Sequence, residues 1–247
     1  MDAAPLAITR LNPADVQQRV LTVGDPARAE KAAAMLEGAT PLARNREYVS
    51  FNGTWNGVPL TVVSHGVGAS GAIIAFEEVC RAGAQVIIRA GTAGGLSPDV
   101  VDGHLLVVTS AVREDGVTSA MVPPEFPAVS DPQLVLDLER HAQGSGCAVA
   151  RGSVATMAAF YASPVLANRQ VLWRDAGVLG VEMEVAALFV TASLHGVRAG
   201  AIVAIDGNPL AADDEDMNDY QPDREVVTKA VDAALLASLD TLAQAEA

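Results

Sequence analysis

The sequence predicts an α/β protein, a single domain over residues 1–247 built as a three-layer α/β/α sandwich around a mixed, mostly parallel sheet. Three observations predict it. Short apolar runs rich in β-branched residues, "VII" at 86–88 among them, alternate with stretches of helical periodicity. The apolar runs end in glycine-containing turns, giving the strand, turn, helix order of βαβ units whose sheet is covered on both faces. The chain has 247 residues, 50% of them hydrophobic, enough for one sizeable core, and no repeat, tail or linker demands a boundary.

Each element follows from its local pattern. "RVLTVGDP" (19–26) reads as a strand closing in a Gly24-Asp25-Pro26 turn, and "ARAEKAAAML" (27–36) as a helix with Pro26 suited to its entry. "PLTVVSHGVG" (59–68) is a second strand with a glycine-rich exit. In "ASGAIIAFEEVCRAG" Ile73, Phe76 and Cys80 recur at helical spacing, and Gly83 can end the helix. "QVIIRAG" and "DGHLLVVTSAV" (102–112) are further strands, and "EFPAVSDPQLVLDLERHAQGSG" is a proline-rich turn leading into a helix. "VEMEVAALFVTASLHG" (181–196) enters another helix, "GAIVAIDG" (200–207) is a strand, and 223–243 is an alanine-rich helix. "LAADDEDMNDY" (210–220) is too acidic for core and reads as a solvated loop.

Composition narrows the function classes. Sixteen Lys plus Arg against thirty Asp plus Glu give a formal net charge of −14, which disfavours nucleic acid and anionic membranes as partners. Cys80 and Cys147 lack metal-ligand spacing and read as reduced core thiols, in keeping with a cytoplasmic protein. No basic-then-apolar leader is seen, and no run approaches the ~18 apolar residues of a membrane span. His65, His104, His141 and His195 have no partners at metal spacing, so no metal site is expected. The acidic 213–216 run lacks the glycine and spaced ligands of a calcium loop.

Open α/β sheets bind ligands beyond the carboxyl ends of their strands. Gly24, His65–Gly68, Arg89–Gly95 and Asp206 all fall at predicted strand exits. Arg89 is the sharpest clue, because a guanidinium after "VII" needs either a structural carboxylate or a bound anion. Gly91, Gly94 and Gly95 let backbone N–H groups approach a ligand, and Thr92 adds a hydroxyl. Gly24 and Arg28 repeat the theme at an earlier strand exit, beside a helix N-terminus that favours anions. The Lys-Ser/Thr ending of a P-loop is absent. "GVGASG" (66–71) has dinucleotide spacing, but Arg89 stands where an acidic ribose ligand belongs. Around Ser70 the flanking glycines are misplaced for a hydrolase elbow.

Carboxylates supply the other half of a site. Glu182 and Glu184 in "GVEME" share a face if extended and diverge by about 200° if helical. Either could accept hydrogen bonds from sugar hydroxyls or cap the following helix. Asp206, closing "AIVAID", is a general acid if burial keeps it protonated, or else a turn former before Gly207.

Together, "GDPARAEK", "NREY", "VSHGVG", "VIIRAGTAGGLSPD", "AVREDGV", "FPAV", "GVEMEVAAL" and "AIVAIDGNP" resemble the trimeric and hexameric nucleoside phosphorylase family. That family includes uridine phosphorylase and the bacterial-type and malaria-parasite-type purine nucleoside phosphorylases. The resemblance runs from about residue 20 to the C-terminal helix and implies reversible phosphorolysis of a nucleoside to free base and ribose 1-phosphate. It places Gly24, Arg28, Arg89 and Thr92 on phosphate, and Arg46 of "NREY" on phosphate in a neighbouring subunit's site. It places Met183 and Glu184 on ribose, Phe160 against the base, and Asp206 as the acid facing purine N7. Inorganic phosphate is then the co-substrate, without metal or organic cofactor, and the protein is a homo-oligomer of dimers with shared sites, a trimer of dimers. Three departures bear on specificity. Ile8 occupies the place of an N-terminal histidine near the ribose 5′ position, which admits a 5′-substituted nucleoside. "FYASPVLANR" (160–169) lacks the Gln and Arg with which uridine phosphorylase reads uracil, and the loop after "IDGNP" is poor in aromatics. A purine nucleoside such as inosine or guanosine is the expected substrate. Uridine phosphorolysis, a nucleoside hydrolase, and a non-catalytic nucleoside- or phosphate-binding protein are the alternatives.

Overall fold

The computed structural model describes residues 4–161, 163, 165–210, 221 and 223–247. The acidic stretch read above as a solvated loop therefore lies, over 211–220, outside the described residues. In chain order the elements are β1 (Arg19–Val23), α1 (Pro26–Met35), β2 (Glu37–Asn45), β3 (Tyr48–Trp55), β4 (Val58–Ser64), α2 (Ala69–Arg81) and β5 (Val86–Gly95). They continue with β6 (Leu105–Glu114), α3 (Pro132–Gln143), β7 (Val149–Met157), α4 (Arg169–Asp175), β8 (Gly180–Glu182), α5 (Val185–His195), β9 (Arg198–Gly207) and α6 (Glu225–Gln244).

The strands form one nine-stranded sheet in the order β2-β3-β4-β1-β5-β8-β7-β6-β9. β9 also pairs with β5, so β5, β8, β7, β6 and β9 close on themselves. The sheet is mixed. β1 runs parallel to β4 and β5, and β5 parallel to β9, while the β2–β3 and β3–β4 hairpins, β5–β8 and β6–β9 are antiparallel.

Strand alternation explains the three layers. Val86, Ile88 and Ala90 of β5 pack with Ala32 of α1, Leu134 and Leu138 of α3, and Leu235 and Leu239 of α6. Ile87 points the other way, into the cluster that holds Phe76 of α2 and Leu188 and Phe189 of α5. Both faces of the strand are thus buried, as a continuous apolar run requires. Phe76 and Phe189 are almost wholly buried, and full burial of such a side chain is worth about 1.5–3 kcal/mol. The same alternation puts Arg89 on the Ile87 face, toward the start of α5.

Helix entries carry the expected chemistry. Asp25 caps α1 by accepting the Ala27 N–H at 2.8 Å, with Pro26 in the first turn. Asp131 does the same for α3, accepting from Gln133 and Leu134. The expected strand at 59–68 ends earlier, at Ser64, since Gly66 and Gly68 turn the chain at positive φ into α2. β2, β3, β7, β8 and α4 were not anticipated as elements.

Candidate active site

The parallel register gathers these segments, with one correction to the sequence reading. Val23 pairs with Ser64, so Gly24 and His65 leave β1 and β4 at the same level, whereas Arg89 pairs with Thr22 inside the sheet. Arg89 and Thr92 lie within β5 and not at its exit, because the strand continues through the glycines to Gly95 as the partner of β9. Beside these segments lies a cavity of about 600 Å³. Its walls include Gly24 and Arg28 after β1, Arg89 and Thr92 of β5, Met183 and Glu184 at the passage from β8 to α5, and Met157, Phe160, Gln170 and Asp206. Every sequence-predicted site residue except Arg46 is a wall of this cavity. Arg46 is exposed, in the two-residue β2–β3 turn at φ 53°, and the neighbouring Glu47 reaches the cavity in its place.

Of the two readings offered for a buried arginine, the structure shows the structural carboxylate. Only 3% exposed, its Nη2 is shared by two carboxylates, forming an ion pair with Glu184 and lying 3.4 Å from Glu182. Its Nε and Nη1, however, are buried with no hydrogen-bond partner. The guanidinium thus keeps the N–H groups of two nitrogens uncommitted, an unfavourable state for buried donors. Room for this head group comes from Gly91, two residues along the same strand face. A Cβ there would collide with Nη1 and Cζ of Arg89.

The two glutamates divide the work. β8 ends at Glu182 and α5 begins at Val185, so "GVEME" straddles a strand–helix boundary and both carboxylates turn toward Arg89. Glu182 caps α5, accepting the Glu184 N–H at 2.8 Å and the Val185 N–H at 2.9 Å, and takes the Thr156 hydroxyl at 2.6 Å. Glu184 accepts the Gly68 N–H at 2.5 Å, which ties the glycine turn before α2 to the site. Burial lifts the Glu182 carboxyl above its ordinary range. For Glu184 burial pushes the same way, but the Arg89 charge pulls it below the ordinary range, so Glu184 is the ionised partner.

Asp206 owes its aim to an irregularity. Ala93 pairs with Ile205 but Gly94 with Gly207, so Asp206 is the extra residue of a bulge at the end of β9. It is 5% exposed, and its carbonyl accepts from Arg224, which also ion-pairs with Asp102. Phe160 is half-exposed beside Tyr161 in edge-to-face contact, centroids 5.2 Å apart. His65 is fully buried, its Nδ1 2.8 Å from the Gly66 carbonyl and its Nε2 unpartnered. Burial, and next the Arg89 charge, push its pKa down to about 3, so it is neutral.

Sequence reading missed Gln170, a buried amide in the cavity wall, and the double role of Glu182 as cap and Arg89 partner. The "GVEME" spacing was the only sequence signal for the latter. Among the described residues no group of three or more His, Cys, Asp or Glu is arranged to hold a metal, and no helix is long and apolar enough to cross a membrane.

One cavity of this α/β fold is thus lined by guanidinium groups, the Glu184 carboxylate and a second acid, Asp206. Comparison with known proteins gives the class. Residues 18–242 match the model of the phosphorylase superfamily. Purine nucleoside phosphorylase of Plasmodium vivax is 36% identical over 236 residues, covering 95% of this chain and 94% of the relative. Uridine phosphorylase of Treponema pallidum is 36% identical over 207 residues, 80% of each. The crystal structure of purine nucleoside phosphorylase from Toxoplasma gondii, in complex with immucillin-H, superposes with a TM-score of 0.92 at 34% identity, covering 98% of this chain and 97% of that one. The chain belongs to the nucleoside phosphorylase superfamily.

Proposed function

We propose that this protein catalyses the reversible phosphorolysis of purine nucleosides, with inorganic phosphate as co-substrate and no other cofactor. One observation carries the reading: Arg89, whose Nε and Nη1 have no hydrogen-bond partner, lines the same cavity as ionised Glu184 and Asp206.

Arg89, Arg28, Thr92 and the Gly24 main chain bind phosphate under the sugar. Arg46 completes this set from a neighbouring copy in a homo-oligomer of dimers. Its exposure in the β2–β3 turn, outside the cavity of its own chain, supports that role. Glu184 accepts hydrogen bonds from the 2′- and 3′-hydroxyls, and Met183 packs against the ribose. As the glycosidic bond lengthens, the sugar becomes cation-like and the purine anionic. Phosphate stabilises the first and forms the bond to C1′, while protonated Asp206 donates to N7 and makes the base a better leaving group. Phe160 walls the base.

The purine preference rests on the 36% identity to the P. vivax enzyme over nearly the whole chain. Since a uridine phosphorylase is equally identical over a shorter span, base release from inosine, guanosine, adenosine and uridine should be compared with and without phosphate. Phosphate-dependent release, fastest for inosine or guanosine, is the expected result. Preference for uridine would overturn the purine reading. Binding without turnover would reduce the protein to a nucleoside receptor.

A further inference from the structure

We propose that Gln170 is a base-reading residue, its carboxamide recognising the N1–H and C6=O edge of a 6-oxopurine. This rests on the purine phosphorolysis reading above and names the substrate class within it.

Gln170 is the second residue of α4. It is only 9% exposed, yet it forms part of the cavity wall. Its main-chain N–H donates to Asn168 Oδ1 at 2.9 Å, the N-cap of the helix. Its carboxamide has no hydrogen-bond partner among the described residues. The helix start is held in place on its other side too, because Arg169 pairs with Glu114 of β6 and lies 5.6 Å above the Trp173 ring. The backbone that carries the amide is therefore held in the wall.

The location says what it meets. The wall it belongs to also holds Met157, the last residue of β7, Phe160 just beyond it, and Asp206 of the β9 bulge. A polar ligand edge would give this carboxamide the partners that the protein does not. A carboxamide offers one donor and one acceptor side by side. The lactam edge of hypoxanthine or guanine presents their complement, N1–H to the amide oxygen and O6 to the amide N–H. The second bond strengthens as the departing base gains negative charge, so it favours the transition state over the ground state.

The test is a cycle between enzyme and substrate. Phosphate-dependent kcat/KM is measured for inosine, adenosine and purine riboside, which lacks O6, with wild type, Gln170→Leu and Gln170→Glu. Wild type should prefer inosine to purine riboside by about ten- to a hundredfold, the range for a paired polar edge, and Gln170→Leu should erase most of that ratio. Gln170→Glu keeps the shape but cannot donate to O6, so inosine should fall while adenosine, which offers its 6-amino group, should not. Equal losses for all three substrates, or an unchanged inosine to purine riboside ratio in both variants, would overturn the assignment. Absence of phosphate-dependent turnover of any purine nucleoside by wild type would instead remove the reading beneath it.

Discussion

Arg89 sits where three features meet: burial among apolar strands, two carboxylates on one nitrogen, and two further nitrogens without a hydrogen-bond partner. Its neighbour His65 shows how far that charge shapes the surroundings. A histidine with a folded pKa near 3 and an ordinary value of 6.5 binds its proton only in the unfolded chain between those limits. Its contribution to stability is therefore complete above about pH 6.5 and is lost progressively as pH falls toward 3, at about 1.4 kcal/mol per pH unit. Denaturant unfolding at pH 7 and pH 5 should show wild type losing about 2 kcal/mol more than His65→Asn over that interval. Identical losses would mean that His65 takes up its proton in the folded state. At this scale the sequence was informative about charge and silent about pairing. An arginine after "VII" could not escape notice, but that Glu182 and Glu184 would share one of its nitrogens depends on two strands meeting in space. Gln170 gave no signal, because a lone glutamine near a short helix looks like any surface residue.

At the scale of elements, the legible parts were those with a strong period. β1, β4, β5 and β9 are apolar runs with glycine exits, and α2, α3 and α6 have clear helical spacing. β2 is largely exposed and contains Gly38 and Pro41, β7 is broken by Arg151 and Gly152, and α4 spans only seven residues, so none carries a periodic signature. The bulge that aims Asp206 was equally invisible, since it arises from the register between β5 and β9 and not from either strand alone. The glycine run after Arg89 was expected to serve a ligand through its N–H groups, yet Gly91 does its work by leaving space for the guanidinium. Gly91→Ala should displace that head group and raise the phosphate KM by roughly tenfold or more, in a protein whose thermal unfolding stays cooperative. A phosphate KM within twofold of wild type would show that Arg89 is not held by this packing.

For the whole molecule, a formal charge of −14 is matched by a cavity in which Arg28 and Arg89, from separate elements, stand among acids such as Glu47, Glu182 and Glu184. Sheet order assembles these walls. β1 lies beside β5, and β5 joins β7, β8 and β9 in the closed group of strands. The expected α/β/α layering with a mixed, largely parallel sheet is what the fold displays, while the proposed Arg46 exchange concerns an assembly beyond one chain. The central claim is that phosphate, and not water, receives the ribosyl group. Inosine turned over in ¹⁸O-labelled water with inorganic phosphate tests it most directly, by mass spectrometry of the sugar product. The account predicts ribose 1-phosphate free of label; labelled ribose released at the same rate with or without phosphate would contradict it.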